Sequence, residues 1–193
     1  MVYVPSILFA LLASYRDDNL PARVPYVFPA PGTDPVADAL RARRPNNTLL
    51  DLDGVLNNNT IPGTMRELII LRSAVISNAA YIWIQHEPVA RSEGLTTAQL
   101  QTIRFAPPFS GLTPGTTFHG TLAPELVAAL NFADFSLSLV HIPDAVYNGL
   151  SEFLSDSQMV LATATVGFYA LTARFVVGLN IDDKMGVPVP IPQ

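Results

Sequence analysis

The chain contains no cysteine in 193 residues. Disulfides, zinc–thiolate sites, iron–sulfur clusters and thiol nucleophiles are therefore excluded. Lysine is almost missing as well. Lys184 is the only one, in an Asp-Asp-Lys stretch, so a buried Schiff-base lysine is not expected. Charged residues reach only 14%, against about 25% in ordinary soluble domains. The net charge of −5 leaves no basic face for nucleic acid, and no nucleic-acid partner is expected. The three histidines, His86, His119 and His141, offer no i,i+4 pair, and no metal site is assigned. Chemistry on this chain must run on oxygen acids, an imidazole and arginines, and no cofactor is expected.

What is present is apolar. Hydrophobic residues make up 49% and mean hydropathy is +0.32, which excludes disorder for most of the chain. So much apolar surface must be hidden in a membrane or against copies of the same chain. The best spanning candidate, Met159 to Leu179, is interrupted by Thr163, Thr165, Tyr169, Thr172 and Arg174. A helix buried in a core or an oligomer interface is the favoured reading, with no membrane. Val2 to Ala13 is as short as a signal h-region, but no basic residue precedes it and Leu11-Leu12-Ala13 is a poor cleavage site. Two glycosylation sequons, at Asn46 and Asn58, matter only in a secreted protein. An N-terminal extension packed on a cytoplasmic domain is expected, ahead of secretion.

Three regions follow from composition. Residues 1–45 read as an N-terminal extension and proline-rich arm, 46–180 as a helical domain, and 181–193 as a C-terminal tail. The arm holds one short helix near Asp34 to Arg44, with Asp34 capping and Pro35 in the first helical position. Arg41, Arg43 and Arg44 at its end suit the helix dipole better than a ligand. Helical spacing then predicts Thr64–Ile76 and Ala79–Glu93, separated by Ser77-Asn78, whose side chains can cap a new helix. Gly94 ends the second, and Thr96-x-x-Gln99 is a capping box for a short helix to about Phe105. Pro124 opens a helix to about Val140 and Pro143 another to about Leu154. Asp156 caps a long apolar helix ending at Gly178. Strand alternation is absent, so the fold class is all-α.

Three segments in order carry a family likeness: Arg66-Glu67-Leu68-Ile69-Ile70-Leu71-Arg72, Tyr81-Ile82-Trp83-Ile84-Gln85-His86, and Ala90-Arg91-Ser92-Glu93-Gly94-Leu95-Thr96. Together they resemble the carboxymuconolactone decarboxylase family, which shares its fold with the AhpD alkylhydroperoxidases. The likeness is best over Thr60 to Ile103, thinner over Leu122 to Leu179, and weak before residue 45. It implies an AhpD-like helical bundle behind the proline-rich N-terminal arm, assembled as a homotrimer or hexamer. The peroxidase branch carries a C-x-x-C pair where this chain has Ala79 and Ile82, so disulfide-based peroxide reduction is excluded. Ile82 also stands where many cysteine-less relatives carry an acidic residue, and the segment from Leu49 to Thr64 is shorter than in relatives.

The break at Ser77-Asn78 has a chemical consequence. In one continuous helix Glu67 and His86 would lie about 28 Å apart at ~1.5 Å per residue. Folding the second helix back lets carboxylate and imidazole meet. The resemblance then implies a cofactor-independent lyase or isomerase acting on a carboxylated lactone or another enolisable, polyketide-like metabolite. His86 is the expected general acid, Glu67 its relay partner, and Tyr81 a hydrogen-bond donor to an enolate. Arg72 and Trp83 are the expected substrate-binding residues, Arg72 for a carboxylate. Each has a structural counter-reading. His86 can be a core histidine bonded to a carbonyl, Glu67 a helix N-terminal acid or a partner for Arg72, and Tyr81 and Trp83 packing residues. The competing function is a non-catalytic binding or scaffold protein on the same fold.

Overall fold

Thr64 to Ile76 carries apolar side chains on every face, and such a helix must be surrounded. The computed structural model describes residues 32–33, 60–112 and 121–193, and in it this helix is the centre of the bundle. The N-terminal extension, the proline-rich arm apart from residues 32–33, its short helix and arginine cluster, the Asn46 sequon and His119 lie outside the described residues.

The described elements are α1 (Gly63–Ile76), α2 (Ala80–Ser92), α3 (Thr97–Phe105), α4 (Pro124–Leu139), α5 (Asp144–Ser151) and α6 (Asp156–Gly178). Short 3-10 turns occupy Ser110–Leu112 and Ile181–Asp183. No strand occurs among the described residues, so the all-α class holds there. α1 packs on α2, α3, α4 and α6, and every residue from Glu67 to Ala74 is buried. Burial of a side chain such as Leu68, Ile69 or Leu71 is worth roughly 1.5–3 kcal/mol, so this helix is the main apolar anchor.

α1 stops where the sequence says, but by a different device. Neither Ser77 nor Asn78 caps α2 through its side chain; Ala79 occupies the N-cap position, with no side-chain cap bond. Asn78 instead takes φ +49, and its N–H donates to the Val75 carbonyl (3.2 Å). The Ala79 N–H donates to the Ala74 carbonyl at 2.8 Å, completing a Schellman closure with asparagine in the left-handed position. α2 ends the same way: Gly94 has φ +107, and Leu95 N–H reaches the Ala90 carbonyl at 2.9 Å. Both turns redirect the chain tightly, and the first of them sets α2 beside α1.

The other boundaries follow local chemistry. The Thr96/Gln99 capping box is formed. Ser155, with Gln158, caps α6, and Asp156 is its first helical residue instead of its cap. α5 ends at Ser151, shorter than expected. In α6 the hydroxyls of Thr163, Thr165 and Thr172 each donate to the carbonyl four residues back, at 2.8–2.9 Å. These threonines therefore satisfy themselves and do not by themselves mark the helix as unfit for lipid. Among the described residues α6 is the one helix long and apolar enough to cross a membrane, and 28% of its most apolar window is buried. Its buried stripe includes Met159, Ala162, Val166, Tyr169, Ala173 and Val176, while Val160, Leu171 and Phe175 are exposed.

The C-terminal tail is docked. Val189 is buried, and the Val189 carbonyl accepts from Arg104 (3.1 and 3.2 Å). The Pro192 carbonyl accepts from Gln101 at 3.2 Å, and the Gln193 carbonyl accepts from Arg91 at 3.1 Å and Thr97 at 3.2 Å. The tail thus lies across α2 and α3.

Candidate functional site

Three helices each deliver one side chain to a common point. Glu67 projects from α1 and is 2% exposed. Its Oε2 lies 3.0 Å from Nδ1 of His86 on α2, and Nε2 of the same ring lies 3.0 Å from the Tyr169 hydroxyl on α6. The His86 and Tyr169 rings meet edge-on, with centroids 5.0 Å apart. Folding α2 back over α1 brings Glu67 and His86 together. The buried stripe of α6, one side chain per turn, supplies Tyr169.

Hydrogen-bond valence fixes the direction of this chain. An ionised carboxylate only accepts, so Nδ1 of His86 carries the proton facing Glu67. Nε2 of the neutral ring is then a bare lone pair that accepts from the Tyr169 O–H. If the ring takes a second proton, Nε2–H donates back to the phenolic oxygen, and Glu67 stabilises the imidazolium. The side chain of His86 remains 23% exposed, so protons can reach the ring from one edge, whereas the carboxyl behind it is shielded.

The carboxylate is held from its other side too. Arg66 Nε donates to Glu67 Oε1 at 3.0 Å, and Arg66 Nη2 donates to Glu93 Oε1 at 2.9 Å. Partial burial lowers the Arg66 pKa, but hydrogen bonds and charge from Glu67 and Glu93 outweigh it and raise the group above its ordinary value. Glu93 packs over the start of α1 at Gly63, where an added Cβ would fall 1.8 Å from Glu93 Oε2. A carboxylate there also meets the positive end of the α1 dipole.

A second network fixes the turns of α2 around His86. Pro88 sits inside α2 and cannot donate to the Ile84 carbonyl, which leaves a gap in the helix ladder. Side chains span that gap. Trp83 Nε1 donates to Glu87 Oε2 at 2.7 Å, and Arg91 donates to Glu87 Oε1 from Nη2 (2.7 Å) and Nε (3.1 Å). Both are i,i+4 links across the interrupted turn.

The residues singled out in the sequence therefore separate. Glu67 and His86 meet, but Tyr81 is half-buried against the core, and the hydroxyl bonded to His86 is that of Tyr169. Trp83 is fully buried and its indole N–H is committed to Glu87, which leaves no face for substrate. Arg72 is fully buried and points to α4, where Nε meets Asp134 Oδ1 (2.5 Å) and Nη2 meets Oδ2 (3.1 Å). Its Nη1 donates to the Ile103 carbonyl at 2.8 Å. With its donors so engaged, Arg72 ties α1, α3 and α4 together, which corrects its expected place as a substrate ligand. Glu67 pairs with Arg66, not with Arg72. Ala79 and Ile82 are both core residues. His141 is exposed beyond the end of α4. Tyr169 had one sequence signal, as a polar interruption in the apolar run of α6, but nothing there says which helix it faces. Among the described residues no cluster of three His, Asp or Glu has the arrangement to hold a metal ion. Comparison of the chain with family models, with curated proteins and with solved structures finds no match.

Proposed function

We propose that this chain is a small cofactor-independent lyase or isomerase of the carboxymuconolactone decarboxylase type, acting on a carboxylated lactone or another enolisable metabolite. The observation that carries the proposal is the Glu67–His86–Tyr169 chain, a buried acid, an imidazole and a phenol in series at 3.0 Å each. Loss of CO₂ from such a substrate sends the electron pair of the breaking C–C bond into the conjugated lactone carbonyl. An enolate forms, and one proton must then be delivered to carbon. Tyr169 is the group to donate a hydrogen bond to that enolate, taking the role expected of Tyr81. His86 supplies the proton, and Glu67 steadies the imidazolium before it is spent. In an isomerase the same groups take a proton from one carbon and return it to another.

The proposal extends to a soluble cytoplasmic homotrimer or homohexamer with a small-molecule substrate. The exposed Val160, Leu171 and Phe175 on α6 support self-association, because a low-charge surface favours burial of such side chains. Non-catalytic use of the fold is the second reading. It is favoured by Arg66, which already neutralises one oxygen of Glu67 as a purely structural pair would.

The test is turnover of carboxylated unsaturated γ-lactones, followed by CO₂ release and lactone absorbance. His86→Ala should lower the rate about 10²–10⁴-fold while the helical content is kept. Full activity in that variant, or no turnover by the parent chain across the lactone series, overturns the catalytic reading in favour of the binding one.

A further inference from the structure

Away from the proton chain, an open groove of about 400 Å³ lies between the end of α1, α4 and the last turns of α6. Its walls include Ser77, Leu137, Ala170, Ala173, Arg174 and Val177. None of these belongs to the Glu67–His86–Tyr169 chain, and among the described residues no acidic side chain lines it. Its size is that of a small-molecule site.

Arg174 distinguishes this groove from a mere surface dent. Among the described arginines, Arg66, Arg72 and Arg91 each pair with a carboxylate, and Arg104 donates twice to the Val189 carbonyl. Arg174 has one bond among the described residues, from Nη1 to the Ala170 carbonyl of its own helix at 2.6 Å. That bond folds the guanidinium back along α6, and the other four N–H donors remain for a ligand. Ser77, half-buried at the end of α1, lines the same groove and offers a hydroxyl with no bond among the described residues. Leu137, Ala170, Ala173 and Val177 give the groove an apolar lining beside these two polar groups.

We infer that this groove binds a small apolar carboxylate. The guanidinium takes the two carboxylate oxygens side by side, Ser77 donates to one of them, and the alkyl body lies on the alanine–leucine–valine lining. Phosphate is a poorer fit, since a second charge would meet one cation and a largely apolar wall. The inference stands independently of the proposed catalytic activity.

Hexanoate, hexan-1-ol and hexylammonium are the probes, titrated into the full chain while the methyl resonances of Leu137, Ala170, Ala173 and Val177 are followed by NMR. Hexanoate should shift these methyls saturably, with hexan-1-ol about tenfold weaker and hexylammonium weaker still. Arg174→Gln, at an exposed position that folding does not need, should weaken hexanoate about tenfold and leave hexan-1-ol unchanged. Ser77→Ala should weaken hexanoate by a smaller factor. Equal affinity for acid and alcohol in the parent chain, undiminished hexanoate binding in Arg174→Gln, or shifts confined to His86 and its neighbours would overturn the assignment.

Discussion

Removing Asp134 tests most directly whether Arg72 is a structural anchor. Both side chains of the pair are 0% exposed, and Asp134 also accepts from the Phe109 backbone N–H at 2.9 Å. Asp134→Ala would strand a buried guanidinium with the Ile103 carbonyl as its only described acceptor. Breaking such a pair from one side costs about 3–5 kcal/mol. The Phe109 N–H adds about 1 kcal/mol, the low end for a lost partner, because Phe109 is only half-buried and water can reach it. A loss of about 4–6 kcal/mol is a large share of the ~5–15 kcal/mol typical of a whole domain. At roughly 2–4 °C per kcal/mol for a chain of this size, the melting temperature should fall by roughly 8–24 °C. Urea denaturation of four proteins closes the cycle: parent, Asp134→Ala, Arg72→Met, and the pair Arg72→Met with Asp134→Ala. The double substitution should be more stable than Asp134→Ala alone, because it leaves no orphaned charge. Additive single effects, or a loss under about 1 kcal/mol in Asp134→Ala, would refute the anchoring role and return Arg72 to the list of ligand-binding candidates.

Three further outcomes follow from the geometry. ¹⁵N NMR of the His86 ring should show the proton on Nδ1 in the neutral form; Tyr169→Phe should move the Nε2 resonance and Glu67→Gln the Nδ1 resonance. A neutral ring protonated at Nε2 contradicts the proton chain. Asn78→Ala should cost about 1–2 kcal/mol through its left-handed backbone, whereas Asn78→Gly should cost much less; equal losses would mean that the side chain, not φ, matters. Because its neighbours raise the Arg66 pKa, the stability it contributes is fully present below the ordinary arginine range and is lost only as pH rises through the raised value. The destabilisation caused by Arg66→Gln should therefore be the same at about pH 7 and about pH 10, and a loss that fades between them would contradict the ion pairing.

The amino-acid order settled what is local. Proline and glycine placement, the Thr96/Gln99 box and the 3.6-residue periodicity set the helices from Gly63 onward to within a few residues, because those signals act through hydrogen bonds and sterics inside a few turns. The reversal at Ser77-Asn78 was legible as well, and it is what allows Glu67 and His86 to approach. Which tyrosine reaches the ring was not. The sequence singles out Tyr81 and shows Tyr169 only as a polar interruption of α6, and the choice between them depends on the rotation of α2 and α6 about their axes as they pack on α1. The same holds for Arg72. Its carboxylate lies 62 residues away on another helix, so only burial of both groups in one core decides that the pair is structural. Tertiary packing selects partners by removing water from them, and a linear sequence carries no record of which groups will be dried together.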